Sequence, residues 1–387
     1  MQSSARPRLA YVVNALNPGG TEKLVVEMSL AFAAEYDIAV ICLDEPGQWG
    51  MDLRTHQIPV YCVWRQPGLD FSMVGKLAQL FRRLRIDLVH AHQCTPWFYS
   101  ALARLLYPRA RVLLEEHGRF YPEVDNLKRR LLNRLLVVPL TQRFVAVSQD
   151  VRSRLHRYEG IPARRIAVIY NGAGVVDAIT SSERNDLRAA LVIPPGSFVV
   201  GTVGRLDPIK NLPMFVDAVV RAKQHVPELQ AVIVGHGPMF DEVSAHIERA
   251  GAADYIRMTG YRADAKRLTQ CFDLFVLASF SEGTSMALLE AIAVGVPVAV
   301  TNVGGNPEVV DENKTGWVIP NDDAEALASA MREAARNAQR REQFALAGRQ
   351  RFAERFAFQR MIEQYRETYR ELTVVPRPAR ITGSAEV

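Results

Sequence analysis

The sequence predicts an α/β chain made of two doubly wound, Rossmann-like domains. Three observations carry this. Short apolar runs recur along the chain, and most are continuous rather than alternating, as strands buried on both faces of a parallel sheet are. Amphipathic helical patterns separate the runs. The series occurs twice at similar size, in a chain of 387 residues that can fill two cores.

In chain order, the first domain is expected over residues 1–180. Its strand candidates are 9–14, 38–43, 60–64, 88–92, 111–117, 144–148 and 166–170, with helical patterns between them, for example at 22–34, 73–84 and 127–138. The join falls near 171–195, where Asn171-Gly172, Gly174, Ser181-Ser182-Glu183-Arg184 and Pro194-Pro195 interrupt the pattern. The second domain is expected over 190–355, with strands at 198–203, 230–234, 255–259, 274–278, 298–301 and 316–319 and helices at 212–225, 239–250, 287–294 and 324–336. Two more helices follow, near 340–356 and 358–372, the last lying in a segment 356–374 that can pack back on the N-terminal domain. The Pro/Arg/Gly tail at 375–387 is expected to be disordered.

Composition narrows the class. Apolar residues make up 48% and no stretch reaches the roughly 18 uncharged apolar residues that span a bilayer. No secretory leader is visible. The four cysteines, Cys42, Cys62, Cys94 and Cys271, show no CxxC spacing and read as reduced thiols, which points to the cytoplasm. Residues 1–180 hold 23 Lys/Arg against 16 Asp/Glu, and the remainder 24 against 26, so the net charge of +5 is concentrated in the N-terminal half. A basic half suits an anionic substrate or surface. Nucleic acid fits poorly, because the basic residues lie on helices without interleaved aromatics.

Ligands of doubly wound folds sit at the carboxyl ends of strands. Strand 198–203 is followed by Gly204-Arg205-Leu206-Asp207-Pro208-Ile209-Lys210-Asn211, which puts Arg205 and Lys210 on one loop where a phosphate can rest. No Asp-x-Asp occurs anywhere, so protein cations rather than a metal are expected to stabilise a leaving diphosphate, and no metal or other cofactor is expected. Strand 9–14 leads to Gly19-Gly20 and a helix start, and strand 230–234 to Gly235-His236-Gly237-Pro238. Tyr261 and Arg262 follow strand 255–259 and are grouped with the binding residues. The most informative stretch is Glu282-Gly283-Thr284-Ser285-Met286-Ala-Leu-Leu-Glu290. Gly283, Thr284 and Ser285 break a buried strand and can cap a helix. A buried acid on that helix needs a partner, which a hydroxyl-rich ligand supplies, while the first-turn N–H groups face an anion. Sugar plus phosphate matches both.

His117 closes strand 111–117, and a histidine there can bond a ligand hydroxyl. His90 and His92 end the preceding strand on one face. A metal site with His117 is conceivable, but no nearby carboxylate or cysteine completes a ligand set, and polar residues on a cleft floor are the preferred reading. Between 126 and 141, Leu127, Leu131, Leu132, Leu135 and Leu136 share a helical face, with Lys128, Arg129, Arg130 and Arg134 largely on the others. The stretch from Leu127 to Leu136 fits either an anionic membrane surface or a domain-packing helix with a solvated basic face.

Together these pieces resemble glycosyltransferase family 4, a large group of GT-B-fold enzymes, over roughly 9–372. The most specific marks are Gly204-Arg205-Leu206 with Lys210-Asn211, and Glu282 to Glu290 in the Glu-x7-Glu pattern. Pro18-Gly19-Gly20-Thr21-Glu22, Glu116-His117-Gly118, Asn171-Gly172-Ala-Gly174-Val175 and Thr301-Asn-Val-Gly304-Gly305-Asn-Pro-Glu308 support them. The resemblance implies retaining transfer of a hexose from a UDP- or GDP-sugar, held mainly by the C-terminal domain, to a glycan or lipid-linked acceptor. Polysaccharide or lipopolysaccharide assembly is the implied setting, in the cytoplasm or at the inner face of the plasma membrane. It further implies that Arg205 and Lys210 hold the diphosphate, Glu290 the ribose, and Glu282 the sugar hydroxyls. Backbone N–H groups near 283–286 assist, His117 approaches the transferred sugar, and the Gly19-Gly20 loop closes over the diphosphate. His236 departs from the acidic residue many relatives carry in that turn. No base is assigned. The rival readings are a non-catalytic nucleotide-sugar sensor and an epimerase or phosphorylase of the same fold.

Overall fold

A computed structural model describes residues 6–118, 125–175 and 177–373. Two sheets result, and every strand pair in both is parallel. The first contains β1 Arg8–Ala15, β2 Asp37–Glu45, β3 Val60–Cys62, β4 Leu88–His92, β5 Arg111–Glu116, β6 Arg143–Ala146 and β7 Ile166–Val168, in the order β3-β2-β1-β4-β5-β6-β7. The second contains β8 Phe198–Val203, β9 Leu229–Val234, β10 Ile256–Met258, β11 Leu274–Leu277, β12 Val298–Thr301 and β13 Trp317–Ile319, in the order β10-β9-β8-β11-β12-β13. Each order reverses once, between β1 and β4 and between β8 and β11. These switch points are where doubly wound sheets open a crevice. The tail expected at 375–387 lies outside the described residues.

The strands form where the chain is apolar because helices cover both sheet faces. Leu9, Tyr11 and Val13 point into one buried layer and Ala10 and Val12 into the other. Several ladders end earlier than the apolar runs do. β5 stops at Glu116, which leaves His117 just beyond it, and β6 stops at Ala146.

The expected continuous helix at 127–138 is instead a helix Leu127–Leu132, a π-turn Asn133–Val137 and a 3-10 turn Val138–Leu140. Two causes are visible. Pro139 has no N–H to continue an α-helical ladder. Asn133 turns inward and its Nδ2 donates to the buried Glu159 Oε2 at 2.6 Å. Helices Gly47–Thr55, Cys94–Ala103, Gln149–Glu159 and Ser181–Ala190 fill further connections. The last of these begins with a full capping box, Thr180 with Glu183, inside the segment read as a break.

The two sheets are joined by two crossings that run side by side. Ala173 N donates to Phe356 O at 3.0 Å, and Phe358 N donates to Ala173 O at 3.1 Å. The helix Ala338–Arg355 lies on the second domain, and Phe358–Thr373 returns to the first. There Tyr365 and Tyr369 are fully buried beneath β4, and the Tyr369 hydroxyl lies 2.7 Å from His90 Nδ1 and 3.3 Å from the Tyr11 hydroxyl.

Candidate active site

The site forms where loops after β1 and β5 of the first sheet meet loops after β8, β11 and β12 of the second. The approach is close enough to require glycine. A Cβ on Gly283 would lie 2.3 Å from His117 O, and one on Gly118 (φ +89°) would lie 3.0 Å from Gly283 Cα. Asn171 Nδ2 donates to Thr284 O at 2.8 Å, and Thr284 Oγ1 donates to Val147 O. Glu308 accepts from the Gln149 and Asp150 amides at 2.9 and 3.0 Å, capping a first-domain helix from the second domain.

Two helices, one per domain, start at this junction. Ser285 caps Met286–Ala293 by accepting from Leu288 N, and Gly19 precedes Gly20–Phe32 in extended conformation. A Cβ on Gly20 would meet Met286 Cγ at 3.5 Å, so the Gly19-Gly20 loop lies directly against the opposite helix start. Two sets of unpaired N–H groups and two positive dipole ends therefore border the same space.

The charged residues divide into two clusters on the helix Met286–Ala293 and its approach. Glu282 accepts from Lys210 Nζ at 2.5 Å and from Ser279 Oγ at 2.6 Å, both at Oε1. Glu290 pairs with Lys23 of the first domain and with Lys266 Nζ at 3.4 Å. Burial pushes the Lys23 ammonium below its ordinary range despite Glu290. Burial also works against charge on Lys266, but Glu290 and Glu27 outweigh it and hold that ammonium above its ordinary range. Burial raises the neighbouring Glu27 carboxyl.

Arg205 is 52% exposed and stands 3.3 Å from Asp207. It lines one small hollow with Gly204, Lys210, Leu277 and Ala278 at the ends of β8 and β11. Gly235 (φ +139°) supports that loop, since a Cβ there would sit 1.9 Å from Gly204 O. Gly235 also bridges to Gly260, which sets Tyr261 and Arg262 beyond β10. Both side chains are exposed, and Arg262 makes a two-pronged pair with Asp264 at 2.7 Å.

His117 is almost buried, with its Nε2 3.1 Å from His92 Nδ1 and 3.8 Å from Glu115 Oε1. The expectation that no carboxylate stands beside His90 and His92 is corrected here. Glu115 Oε2 lies 3.0 Å from His90 Nε2 and 3.4 Å from His92 Nδ1, and the three side chains could together hold an ion. Burial pushes both imidazoles below their ordinary range. Burial alone would raise the Glu115 carboxyl, but His117, His90 and His92 together hold it well below the usual carboxylate range.

The leucine stripe also differs from one of its two readings. The five leucines face outward, 40–69% exposed, so they do not pack a domain. Arg129 turns inward to Glu159 Oε1 at 2.9 Å, and Arg130 reaches Arg157 O.

The sequence reading passed over Lys23, Lys266, Ser279 and Glu115. Lys23 and Glu290 are 267 positions apart, and no local pattern connects them. Glu115 was legible in principle, because one register of β4 on β5 sets it beside His92.

Comparison with known proteins agrees over most of the chain. The family profile described as Glycosyltransferase Family 4 matches residues 18–175, and that described as Glycosyl transferases group 1 matches residues 183–351. The Escherichia coli UDP-Gal:alpha-D-GlcNAc-diphosphoundecaprenol alpha-1,3-galactosyltransferase is 24% identical over 315 residues, 79% of this chain and 81% of the relative. The Bacillus anthracis N-acetyl-alpha-D-glucosaminyl L-malate synthase is 24% identical over 326 residues, 81% of this chain and 83% of the relative. Among solved structures, Anabaena HepE in complex with UDP and glucose superposes with a TM-score of 0.84 at 23% identity, over 94% of this chain and 99% of that one. At that identity the superposition speaks for the fold.

Proposed function

The chain belongs to glycosyltransferase family 4, and from that premise we propose a retaining, metal-independent transfer of a hexose from a UDP- or GDP-sugar to a hydroxyl of a glycan or lipid-linked acceptor. The observation that carries the reading is the Lys210–Glu282–Ser279 cluster, set beside two converging helix starts at the join of the domains. It offers a cation and free N–H groups to a diphosphate, and an anchored carboxylate to sugar hydroxyls.

In this mechanism the acceptor hydroxyl attacks the anomeric carbon on the face the diphosphate leaves. The C–O bond to the diphosphate breaks as the new glycosidic bond forms, and the acceptor proton passes toward the departing phosphate oxygen. Arg205, Lys210 and the first-turn amides stabilise the charge that develops there. Glu282 holds the sugar hydroxyls, Glu290 the ribose, and His117 the sugar from the first domain. Gly283 and Thr284 keep the turn close to His117 and Val147, which brings the two domains together at the site. The Escherichia coli relative, whose name carries a diphosphoundecaprenol-linked sugar, supports a lipid-linked acceptor. The outward leucines from Leu127 to Leu136, with Lys128 and Arg134, suit docking on an anionic bilayer face.

Thermal-shift screening with UDP-glucose, UDP-galactose, UDP-N-acetylglucosamine and GDP-mannose tests donor binding, since a ligand at a hundred times its Kd adds about 2.7 kcal/mol. NMR of the product then reads the anomeric configuration, and assays with and without EDTA read the metal requirement. No shift with any donor, an inverted product, or activity abolished by EDTA each removes the corresponding part of the proposal.

A further inference from the structure

We propose that Glu115 and His92 are positioning residues for His117, setting which nitrogen of its imidazole carries the proton it presents to the transferred sugar. The proposal rests on the reading above that His117 faces that sugar. Its structural content stands apart from that reading.

His92 and Glu115 are direct partners in the β4–β5 register, so both side chains leave the sheet on the same face. The helix Phe358–Thr373 covers that face, and His90, His92 and Glu115 are buried. Glu115 sits among three imidazoles, with Oε2 3.0 Å from His90 Nε2 and 3.4 Å from His92 Nδ1, and Oε1 3.8 Å from His117 Nε2. The His92 and His117 rings are 17° from parallel, their centroids 5.3 Å apart and their facing nitrogens 3.1 Å apart. Those three values describe two rings edge to edge in nearly one plane, sharing a hydrogen bond. They exclude face-to-face stacking. The opposite nitrogen of His117, Nδ1, is buried and, like His90 Nε2, His92 Nε2 and both Glu115 oxygens, has no hydrogen-bond partner among the described residues.

Counting protons makes the consequence definite. One hydrogen lies between His92 Nδ1 and His117 Nε2. For neutral rings, if His117 donates it, its Nδ1 carries a lone pair and can only accept. If His92 donates it, His117 Nδ1 carries the N–H and can only donate. Glu115 decides between them through its charge, because its carboxylate is nearer to His92 Nδ1, at 3.4 Å, than to His117 Nε2, at 3.8 Å, and so favours the N–H on His92. His90 stands in the same field: its Nε2 is 3.0 Å from Glu115 Oε2, and its Nδ1 lies 2.7 Å from the Tyr369 hydroxyl. His117 therefore presents an Nδ1–H donor to a sugar oxygen, and the setting depends on a buried charge that touches no substrate.

The test uses the full chain and the variants His117→Ala, Glu115→Gln and their combination. The rate is nucleoside diphosphate release from whichever of UDP-glucose, UDP-galactose, UDP-N-acetylglucosamine or GDP-mannose turns over fastest. Glu115→Gln is expected to lower kcat about tenfold with the donor KM nearly unchanged, and to have under about twofold effect in the His117→Ala background. Effects that multiply in the double variant overturn the link. A His117→Ala chain with wild-type turnover removes the functional reading of His117 instead, and leaves the structural link to a second readout. That readout is imidazole ¹⁵N NMR, which is tractable with eight histidines in the chain. The His117 signals, identified by their loss in His117→Ala, are expected to show a protonated Nδ1 that changes in Glu115→Gln and returns in Glu115→Asp. Unchanged shifts overturn the proposal. So does about one equivalent of tightly held zinc that is lost in Glu115→Gln, which would make the cluster a metal centre. Should Glu115→Gln not fold, His92→Asn breaks the same link and is read the same way.

Discussion

At the scale of single residues, Glu290 departs most from the role that its spacing suggests. It is not an open acid waiting for ribose, because Lys23 from the opposite domain and Lys266 pair with it. A ribose must displace or share those cations. Lys23→Met is therefore expected to tighten UDP binding about threefold to tenfold, read by calorimetry, because a larger share of the protein is ready to bind. Weaker binding would instead make Lys23 a donor contact. The buried histidines give a second prediction. Burial holds the His90 and His92 imidazoles below their ordinary range in the native state, whereas the unfolded chain binds protons there below about pH 6.5. The unfolded state then holds more protons, so stability falls as the solution is acidified, by up to about 1.4 kcal/mol per pH unit for each ring. Glu115, held low in the folded state, adds loss in the same direction only below its unfolded value of about 4.3. The Tm should drop between pH 7 and pH 5, and the slope should be shallower in His92→Asn. A flat Tm over that range contradicts the assignment.

At the scale of elements, the contact between the loops after β5 and β11 is built from glycines that cannot be replaced without moving something. A methyl on Gly283 meets His117 O at 2.3 Å and Val147 Cγ2 at 2.9 Å. Overpacking of this kind costs about 1–3 kcal/mol, and here the loops can relieve it by separating. Gly283→Ala should lower turnover at least about tenfold while circular dichroism and cooperative melting remain. Retained turnover would show that this contact is not the working closure. The outward leucine helix has its own test. Wild type should float with vesicles of phosphatidylethanolamine and phosphatidylglycerol, and Leu131→Ser with Leu135→Ser should not. Arg129 is a poor choice there, because it is committed to Glu159. These elements also mark what was legible in the sequence. The parallel strands, the strand-end loops and the Glu282-to-Glu290 turn followed from local apolar runs, glycines and caps. What was not legible depended on pairing across distance: Lys23 with Glu290, Glu115 with three histidines, and Asn133 turned toward Glu159. The leucine stripe shows the limit clearly. Periodicity revealed its common face, but not whether that face pointed inward or out. The helix Ser181–Ala190 is a different case, since Thr180 and Glu183 spell its cap inside a segment whose Gly, Ser and Pro residues predict a break.

At the scale of the whole molecule, the C-terminal helix makes the two domains interdependent. The chain leaves the first domain at 171–175, builds the second, and returns beside its own exit through the Ala173–Ala357 bridge. The returning helix buries Met361, Ile362, Tyr365, Tyr369 and Leu372. It closes the face of the first sheet that carries Tyr11, His90 and the neighbouring Phe32 and Tyr36 rings, which lie 5.0 and 5.7 Å from Tyr369. Large apolar side chains contribute about 1.5–3 kcal/mol each when fully buried. Five of them approach the 5–15 kcal/mol that separates a folded domain from its unfolded chain. The first domain therefore depends on a helix that the second domain's chain must finish before it can be supplied. A chain ending at Ala357 should lose the first-domain transition in calorimetry and exchange the amides of β1, β4 and β5 rapidly, while the second sheet keeps its protection. Adding a separate peptide of residues 358–373 should restore part of that protection, because the docking face is complementary without the covalent link. If the truncated chain melts like the full one, the helix is an ornament on a self-sufficient domain. In that case the Tyr369–His90 contact cannot order the polar cluster beneath the active site.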